Sequence, residues 1–99
     1  MLMFAKGDFE ELFLRKKPVR LLLNIKLGSA KYVSVLAKET DCTYSHTVKL
    51  LDIFMERGLV EFEKQGRIKY VKLTEDGLGL ANDFESVLRK FAKLKPKRK

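Results

Sequence analysis

The sequence predicts a fold of the α+β class that is mainly helical, with a two- or three-stranded antiparallel sheet and a long C-terminal helix. Two observations lead to this prediction. Apolar residues at helical spacing stop sharply at Gly58, and two short runs of alternating polarity follow directly. A chain of 99 residues, 45% of them hydrophobic, has enough apolar side chains for one compact core. We therefore expect a single domain over residues 1–94 and a basic tail over 95–99.

The helix predicted from Thr43 to Arg57 has one apolar side and one polar side. The residues that recur at helical spacing on the apolar side are Thr47, Leu50, Leu51 and Phe54. Gly58 stands where a left-handed residue that ends a helix is expected. Short, polar or basic side chains near the N-terminus of such a helix fit the major groove of DNA. The candidate DNA-reading residues are Thr43, Tyr44, Ser45, His46 and Lys49. A solvated polar face without a ligand is the alternative interpretation.

A β-hairpin with a basic tip is predicted directly after this helix. Its strands are placed at Val60–Lys64 and Arg67–Leu73, joined at Gln65-Gly66. Ile68 and Tyr70 are expected to form the apolar side at the start of the second strand, before Val71 and Leu73 shift the apolar pattern to the other face. The candidate DNA-binding residues of the hairpin are Lys64, Gln65, Arg67 and Lys69. A helix followed by a basic-tipped hairpin is typical of the DNA-reading half of a winged helix, where the hairpin, or wing, meets phosphates or the minor groove.

The first part of the chain predicts shorter elements that support the reading helix. Helices are expected at 9–16, 19–27 and 33–40, with Pro18 in the first turn of the second. Apolar side chains surround that second helix almost entirely, so we expect it to be the most buried. Residues 30–32 are a candidate third strand of the sheet.

The last helix is predicted from Thr74 to about Leu94 and carries an apolar seam. Its members are spaced four, three, four and three residues apart, which is typical of a helix that packs along its length. We interpret residues 74–94 as a dimerisation helix, and burial of the seam within the chain, on the first helix, is the alternative. The candidate dimer-interface residues are Phe4, Phe9, Phe13, Leu80, Phe84, Val87, Leu88, Phe91 and Leu94.

The net charge of +8 is concentrated at one end of the chain. Residues 1–88 hold 14 Lys and Arg against 13 Asp and Glu, whereas residues 89–99 hold seven basic residues and no acid. The pI of 9.7 is therefore a property of the tail and does not by itself indicate a DNA-binding face. The tail is either a source of non-specific attraction to phosphates or a solubilising end.

No motif in the sequence indicates catalysis, so we expect neither an enzyme nor a cofactor. There is no phosphate-binding glycine loop and no nucleophile elbow. Cys42 and His46 are four residues apart, but two ligands do not make a zinc site, and Cys42 is either an ordinary turn residue or a redox sensor. No apolar run has transmembrane length, and a single cysteine with no signal pattern favours a cytoplasmic protein without membrane partners.

The segment from Leu50 to Gly77 resembles the MarR-type winged-helix regulators. The stretches that carry the resemblance are Glu56-Arg57-Gly58-Leu59-Val60, Arg67 ahead of Leu73-Thr74-Glu75-Asp76-Gly77, and Leu36-Ala37. The second stretch is similar to the family's wing arginine followed by its "LT-x-x-G" entry into the last helix. Gln65 stands where the family often has an aspartate, and the chain is short for the family. The resemblance implies a DNA-binding winged helix in which Arg67 is the wing arginine.

Together these features predict a homodimeric winged-helix transcriptional regulator that binds double-stranded DNA in a sequence-specific manner. Two alternatives stay open. One is a winged helix that serves as a protein–protein interaction module, which the nearly neutral body of the chain allows. The other is a sequence-tolerant chromosomal DNA binder led by the basic tail. Whether a small-molecule effector exists is left open by the sequence.

Overall fold

The computed structural model describes residues 8–28 and 32–94, which form five helices and a two-stranded antiparallel sheet. In chain order the elements are α1 (Asp8–Phe13), α2 (Lys16–Leu27), α3 (Val33–Thr40), α4 (Tyr44–Glu56), β1 (Val60–Gln65), β2 (Ile68–Leu73) and α5 (Glu75–Lys93). The predicted class, mainly helical α+β with a long C-terminal helix, is confirmed. Helices α3, α4 and α5 lie within one residue of their predicted bounds, whereas α1 is shorter than predicted because α2 already begins at Lys16.

The hydrophobic core is centred on α2 and joins the other helices to the sheet. Its buried members are Phe13, Leu21, Leu22, Ile25, Leu36, Leu50, Leu51, Phe54, Leu59, Val60, Val71 and Ala81. The expectation that α2 would be apolar and covered on nearly all sides was wrong for Leu27, which is 73% exposed. Helical spacing places Leu27 on the side of α2 opposite to Leu21, Leu22 and Ile25, and that side faces away from the core.

Both ends of α4 are fixed by local hydrogen bonds. At the start, the Thr43 hydroxyl oxygen accepts a bond from the His46 amide at 3.1 Å, which makes Thr43 the N-cap. At the end, Gly58 has a φ of +76°, which glycine adopts without strain. The Gly58 amide donates to the Met55 carbonyl, and the Leu59 amide donates to the Phe54 carbonyl. These two bonds form a Schellman motif, which sets the direction in which the chain leaves α4 for the hairpin.

The hairpin turn lies one residue later than predicted. Gln65 pairs with Ile68, so the two turn residues are Gly66 and Arg67 rather than Gln65 and Gly66. Gly66 has a φ of +63°, as glycine often has at the first position of a two-residue hairpin turn. As a result Arg67 belongs to the turn itself and not to the second strand.

The core-facing residues of β2 are Val71 and Leu73, where the apolar pattern was predicted to shift face. The prediction that Ile68 and Tyr70 form the apolar side before that shift was wrong, because they lie on the opposite face of the sheet. The register places Phe62 opposite Val71 and Val60 opposite Leu73, and residues directly opposite each other share one face of a sheet. Val71 is accordingly 1% exposed, while Ile68 is 41% exposed.

The predicted third strand is not formed by the residues that the structure describes. Ala30 and Lys31 lie outside the described residues, and Tyr32 is the N-cap of α3 rather than part of a strand. The sheet of the described residues therefore consists of β1 and β2 alone.

The start of α5 is tied to the turn that follows α4. The Thr74 hydroxyl oxygen accepts a bond from the Gly77 amide at 3.0 Å, and the hydroxyl donates to the Gly58 carbonyl at 2.6 Å. The Thr74 amide also donates to the Leu59 carbonyl at 3.0 Å. These bonds hold α4, the wing and α5 in one arrangement, and they give a physical reason for the threonine of the "LT-x-x-G" motif. The glycine has a steric reason, because a Cβ atom at Gly77 would lie 2.0 Å from the Leu59 carbonyl oxygen.

Candidate nucleic-acid interface

The polar side of α4 is open to solvent along its whole length. Because Thr47, Leu50, Leu51 and Phe54 are buried, the opposite side of the helix points outward. The residues at the centre of the outward side are Ser45, Lys49, Asp52 and Glu56, and all four are exposed. The five predicted reading residues of α4 are also exposed. The hydroxyl of Thr43 is already engaged in capping, so its contribution to the surface is mainly structural.

The tip of the wing presents three basic side chains to solvent. Arg67 lies in the turn, and Lys64 pairs directly with Lys69 across the strands. All three residues are exposed, as is Gln65, so the structure brings the four predicted wing residues together. The Nζ atom of Lys69 lies 4.3 Å from the centroid of the Phe62 ring, which holds this lysine against the sheet.

The opposite face of the wing carries an ion pair between Glu63 and Lys72. The carboxylate of Glu63 lies 3.2 Å from the Lys72 ammonium. The hydrogen bond from Lys72, the positive charge of Lys72 and a hydrogen bond from Gln65 lower the pKa of Glu63. The Gln65 side-chain amide donates to the Glu63 carboxylate at 3.5 Å, and among the described residues it forms no hydrogen bond with Arg67.

Aromatic side chains connect the wing to the helices beside it. The rings of Tyr32 and Tyr70 lie 5.4 Å apart between the start of α3 and strand β2. Burial and the neighbouring Tyr32 raise the pKa of Tyr70. A shallow groove at this junction is lined by Tyr32, Val33, Ser34, Tyr44, Ile68 and Lys69. The first turn of α4 and the basic wing thus border the same groove and form one continuous surface.

A basic groove of about 650 Å³ lies along the other side of α4, between α4 and the corner where α1 meets α2. Its lining residues are Glu11, Leu12, Arg15, Lys16, Lys17, Pro18, His46, Lys49, Leu50, Ile53 and Arg57. Five of these side chains are Lys or Arg, against the single carboxylate of Glu11. The sequence alone does not point to Arg15 or Lys16, because only the fold brings this distant corner beside α4. The outward side of α4 is therefore flanked by positive charge on both sides.

Comparison with known proteins identifies the arrangement. No known protein-family profile matches the chain. An uncharacterized protein of Archaeoglobus fulgidus is 26% identical over 82 residues, which cover 79% of this chain and 86% of that protein. The structure of a MarR family transcriptional regulator from Silicibacter pomeroyi is 29% identical with a TM-score of 0.70, over 77% of this chain and 55% of that regulator. A possible HxlR family transcriptional factor from Thermoplasma volcanium has a TM-score of 0.79 at 17% identity, over 91% and 84% of the two chains. This chain has the MarR-like winged-helix fold.

The winged-helix comparison gives each element a place in a known architecture. Helices α3 and α4 form the helix-turn-helix, and β1 and β2 form the wing, as the sequence motifs predicted. The chain spans only 55% of the length of the S. pomeroyi regulator, so the likeness concerns the winged-helix part of that protein.

The apolar seam of α5 divides into two parts in this winged helix. Leu80 and Phe84 are partly buried and pack against the core. Val87, Phe91 and Leu94 are 42%, 61% and 71% exposed, and Leu88 is half-buried. The buried residues of α5 are confined to its first two turns, at Gly77 and Ala81. The C-terminal half of α5 therefore presents an apolar side that the described residues do not cover.

Phe13 belongs to the core of the single chain and not to a dimer interface. It is 6% exposed, and its ring lies 5.5 Å from the Phe54 ring and 5.4 Å from the Phe84 ring. A ring enclosed in this way has almost no surface left for a partner, so its predicted interface role is corrected. Phe4 and the side chain of Phe9 lie outside the described residues.

The remaining candidates for chemistry are isolated in space. Cys42 is a partly buried free thiol. Within residues 8–28 and 32–94, no group of three or more His, Cys, Asp and Glu side chains is placed to hold a metal ion. None of the described helices combines the length and the hydrophobicity that a membrane span requires.

Proposed function

We propose that this winged-helix protein binds double-stranded DNA sequence-specifically as a homodimer and regulates transcription. The observation that supports the proposal best is the exposed polar side of α4, bordered by a basic wing and a basic groove. The S. pomeroyi and T. volcanium proteins of the same fold are described as a transcriptional regulator and a possible transcriptional factor. A helix with polar and basic side chains near its N-terminus has the dimensions and chemistry to enter a major groove.

Helix α4 is the reading helix in this proposal. Ser45, His46 and Lys49 contact base edges or fix the register of the helix in the groove, with Tyr44 beside them. Lysine donates hydrogen bonds to the acceptor atoms of guanine. The serine hydroxyl can pair with either a donor or an acceptor on a base edge. Thr43 supports these residues by holding the first turn of α4 through its capping bond.

The wing supplies affinity rather than sequence information. Lys64, Arg67 and Lys69 lie at its tip and meet the flanking phosphates or the minor groove, with Gln65 next to them. Contacts between cations and phosphates release counterions, so binding weakens as the salt concentration rises.

Dimerisation involves the uncovered half of α5. Val87, Phe91 and Leu94, with Leu88 beside them, meet the same residues of a second copy or its first helix. Leu80 and Phe84 lie at the edge of this interface, because part of their surface is already used in the core. Two-fold symmetry then presents two reading helices to successive major grooves, about 34 Å apart along the DNA.

A selection experiment tests the proposal directly. The full-length protein is mixed with a pool of random double-stranded DNA, bound molecules are recovered, and the enriched sequences are compared. We expect a pseudo-palindromic site, bound more tightly than unselected DNA and more weakly as salt increases. Light scattering at tens of micromolar protein should give the mass of a dimer.

Other results would identify the alternatives. Salt-dependent binding without any enriched sequence would show a sequence-tolerant chromosomal binder. Failure to bind any DNA at low salt would reject DNA binding and leave a protein–protein interaction module.

A further inference from the structure

The outward side of the reading helix carries more negative than positive charge. Ser45, Lys49, Asp52 and Glu56 follow one another at spacings of four, three and four residues, and all are exposed. This central stripe has one lysine and two carboxylates. A surface built only to attract a polyanion would not place carboxylates there, since like charges oppose the approach of phosphates.

We propose that Asp52 is a specificity residue of the reading helix, whose carboxylate accepts a hydrogen bond from the N4 amino group of a cytosine. This inference rests on the proposed function, because it requires that α4 enters a major groove. It assigns to Asp52 a role in discrimination, whereas the wing supplies attraction.

The position of Asp52 fits this role. It lies seven residues after Ser45, so the two side chains leave the helix in nearly the same direction, about 10 Å apart along its axis. Lys49 lies between them on the same stripe. A helix that brings Ser45 and Lys49 to base edges therefore also brings Asp52 toward the floor of the groove.

No interaction within the described residues explains why an aspartate stands at position 52. In the described part of the chain its side chain forms no hydrogen bond or ion pair. Aspartate is a weak helix former, so the helical backbone does not favour it at this interior position of α4. A residue that local structure disfavours and that no neighbour requires is a candidate for a functional role.

The chemistry of a carboxylate restricts which base it can read. An ionised carboxylate only accepts hydrogen bonds. In the major groove guanine presents two acceptors and thymine one, and adenine has an acceptor beside its amino group, whereas cytosine presents only its N4 donor. Asp52 therefore favours cytosine and opposes the other three bases and the phosphates.

The test compares Asp52→Asn with the wild-type protein and with Asp83→Asn. The control removes the same charge at an exposed position of α5, outside α4 and the wing. Each full-length protein is used to select sequences from the same random double-stranded pool.

We expect the wild type and Asp83→Asn to enrich a cytosine at one position of each half-site, and Asp52→Asn to lose that preference alone. The affinity ratio between the wild-type site and the site with C·G replaced by T·A there should fall about tenfold in Asp52→Asn. Thermal unfolding should be the same for all three proteins.

Three results would overturn the inference. The first is an unchanged preference at every position in Asp52→Asn. The second is an equal loss of preference in Asp83→Asn, which would indicate a general charge effect. The third is a wild-type protein that enriches no sequence, and this result alone would also reject the proposed function.

Discussion

Gly77 is the residue at which the fold leaves the least room. A Cβ atom at this position would lie 2.0 Å from the Leu59 carbonyl oxygen and 3.2 Å from Cδ2 of Leu73. Leu59 lies between α4 and the wing, and Leu73 is the last residue of β2. The Leu59 oxygen belongs to the backbone and cannot move aside as a side chain can. We expect Gly77→Ala to destabilise the protein by about 2–3 kcal/mol in thermal or urea unfolding.

Gly79 provides a matched control two residues later in the same helix. An added Cβ there meets nothing within 4 Å. Gly79→Ala should therefore stabilise the protein by up to about 1 kcal/mol, because alanine favours a helix more than glycine does. Equal effects of the two substitutions would show that helix propensity, and not the contact with Leu59, determines the change in stability at position 77.

Lys49 and His46 are exposed on α4 and take no part in the core. We expect Lys49→Ala and His46→Ala to fold normally and to bind the selected DNA more weakly. A good bidentate base contact is worth about 1–3 kcal/mol, and its loss changes the preferred sequence. Lys90→Ala on α5 removes an exposed lysine outside α4 and the wing and is the control. Unchanged affinity in both α4 variants would exclude this face as the reader.

At the scale of elements, the wing is a hairpin with Arg67 exposed in its turn. Because Arg67 lies in an exposed turn, Arg67→Ala should leave the melting temperature nearly unchanged. Its loss should weaken binding to all sequences alike and reduce the slope of log affinity against log salt by about one. A changed base preference in titrations with variant sites would instead make Arg67 a reader.

Helices α2 and α5 are joined by a charge cluster that makes stability depend on pH. Glu85 accepts a hydrogen bond from Lys26 and lies 3.4 Å from Arg89. The hydrogen bond from Lys26, and then the charges of Lys26 and Arg89, lower the pKa of Glu85 below its ordinary value of 4.5. A carboxyl with a lowered pKa in the folded state stabilises the fold above its unfolded-state pKa, and this contribution disappears as the pH falls through the folded-state pKa.

We therefore expect Glu85→Gln to lower the free energy of unfolding at neutral pH. The difference from the wild type should shrink as the pH falls below 4.5. Urea unfolding at a series of pH values measures it. Glu10→Gln, at an exposed glutamate without an ion pair among the described residues, should show no such trend. A constant difference for Glu85→Gln across the series would reject the linkage.

At the scale of the whole molecule, the proposed dimer can be tested by a substitution in the exposed C-terminal half of α5. Burying one aromatic ring there removes about 150–250 Å² from water. Phe91→Asp would place a carboxylate in the proposed interface, where an unpaired charge costs several kcal/mol. We expect light scattering to show a monomer that stays folded and binds the selected DNA much more weakly, since it reaches only one half-site.

Asn82→Asp is the matched control for this substitution. It introduces the same charge on the opposite side of α5 and should leave the dimer intact. If the wild-type protein is a monomer at tens of micromolar and still binds its site, the apolar side of α5 has another role.

The sequence predicts most of this fold because helix ends and strand alternation are local signals. Thr43, Gly58 and Thr74 mark their element boundaries to within one residue. The hairpin turn was predicted one residue too early. Glycine is compatible with either of the two turn positions, and only the pairing of residues across the strands decides which one Gly66 occupies. Phe13 was misassigned for a similar reason, because a phenylalanine pattern does not show whether its partner ring belongs to the same chain. Arg15 and Lys16 were missed because their place beside α4 depends on tertiary packing alone.

The contact between Tyr32 and Tyr70 has an optical consequence. The chain has three tyrosines and no tryptophan. Tyr32 and Tyr70 touch where the wing meets α3, and Tyr44 lies on the first turn of α4, bordering the same groove. Tyrosine fluorescence of the unlabelled protein therefore comes entirely from this junction, and it should change when DNA covers the surface. In an alkaline absorbance titration, the raised pKa of Tyr70 should delay its ionisation beyond that of an ordinary tyrosine. The proposed DNA-binding surface thus contains its own spectroscopic probe.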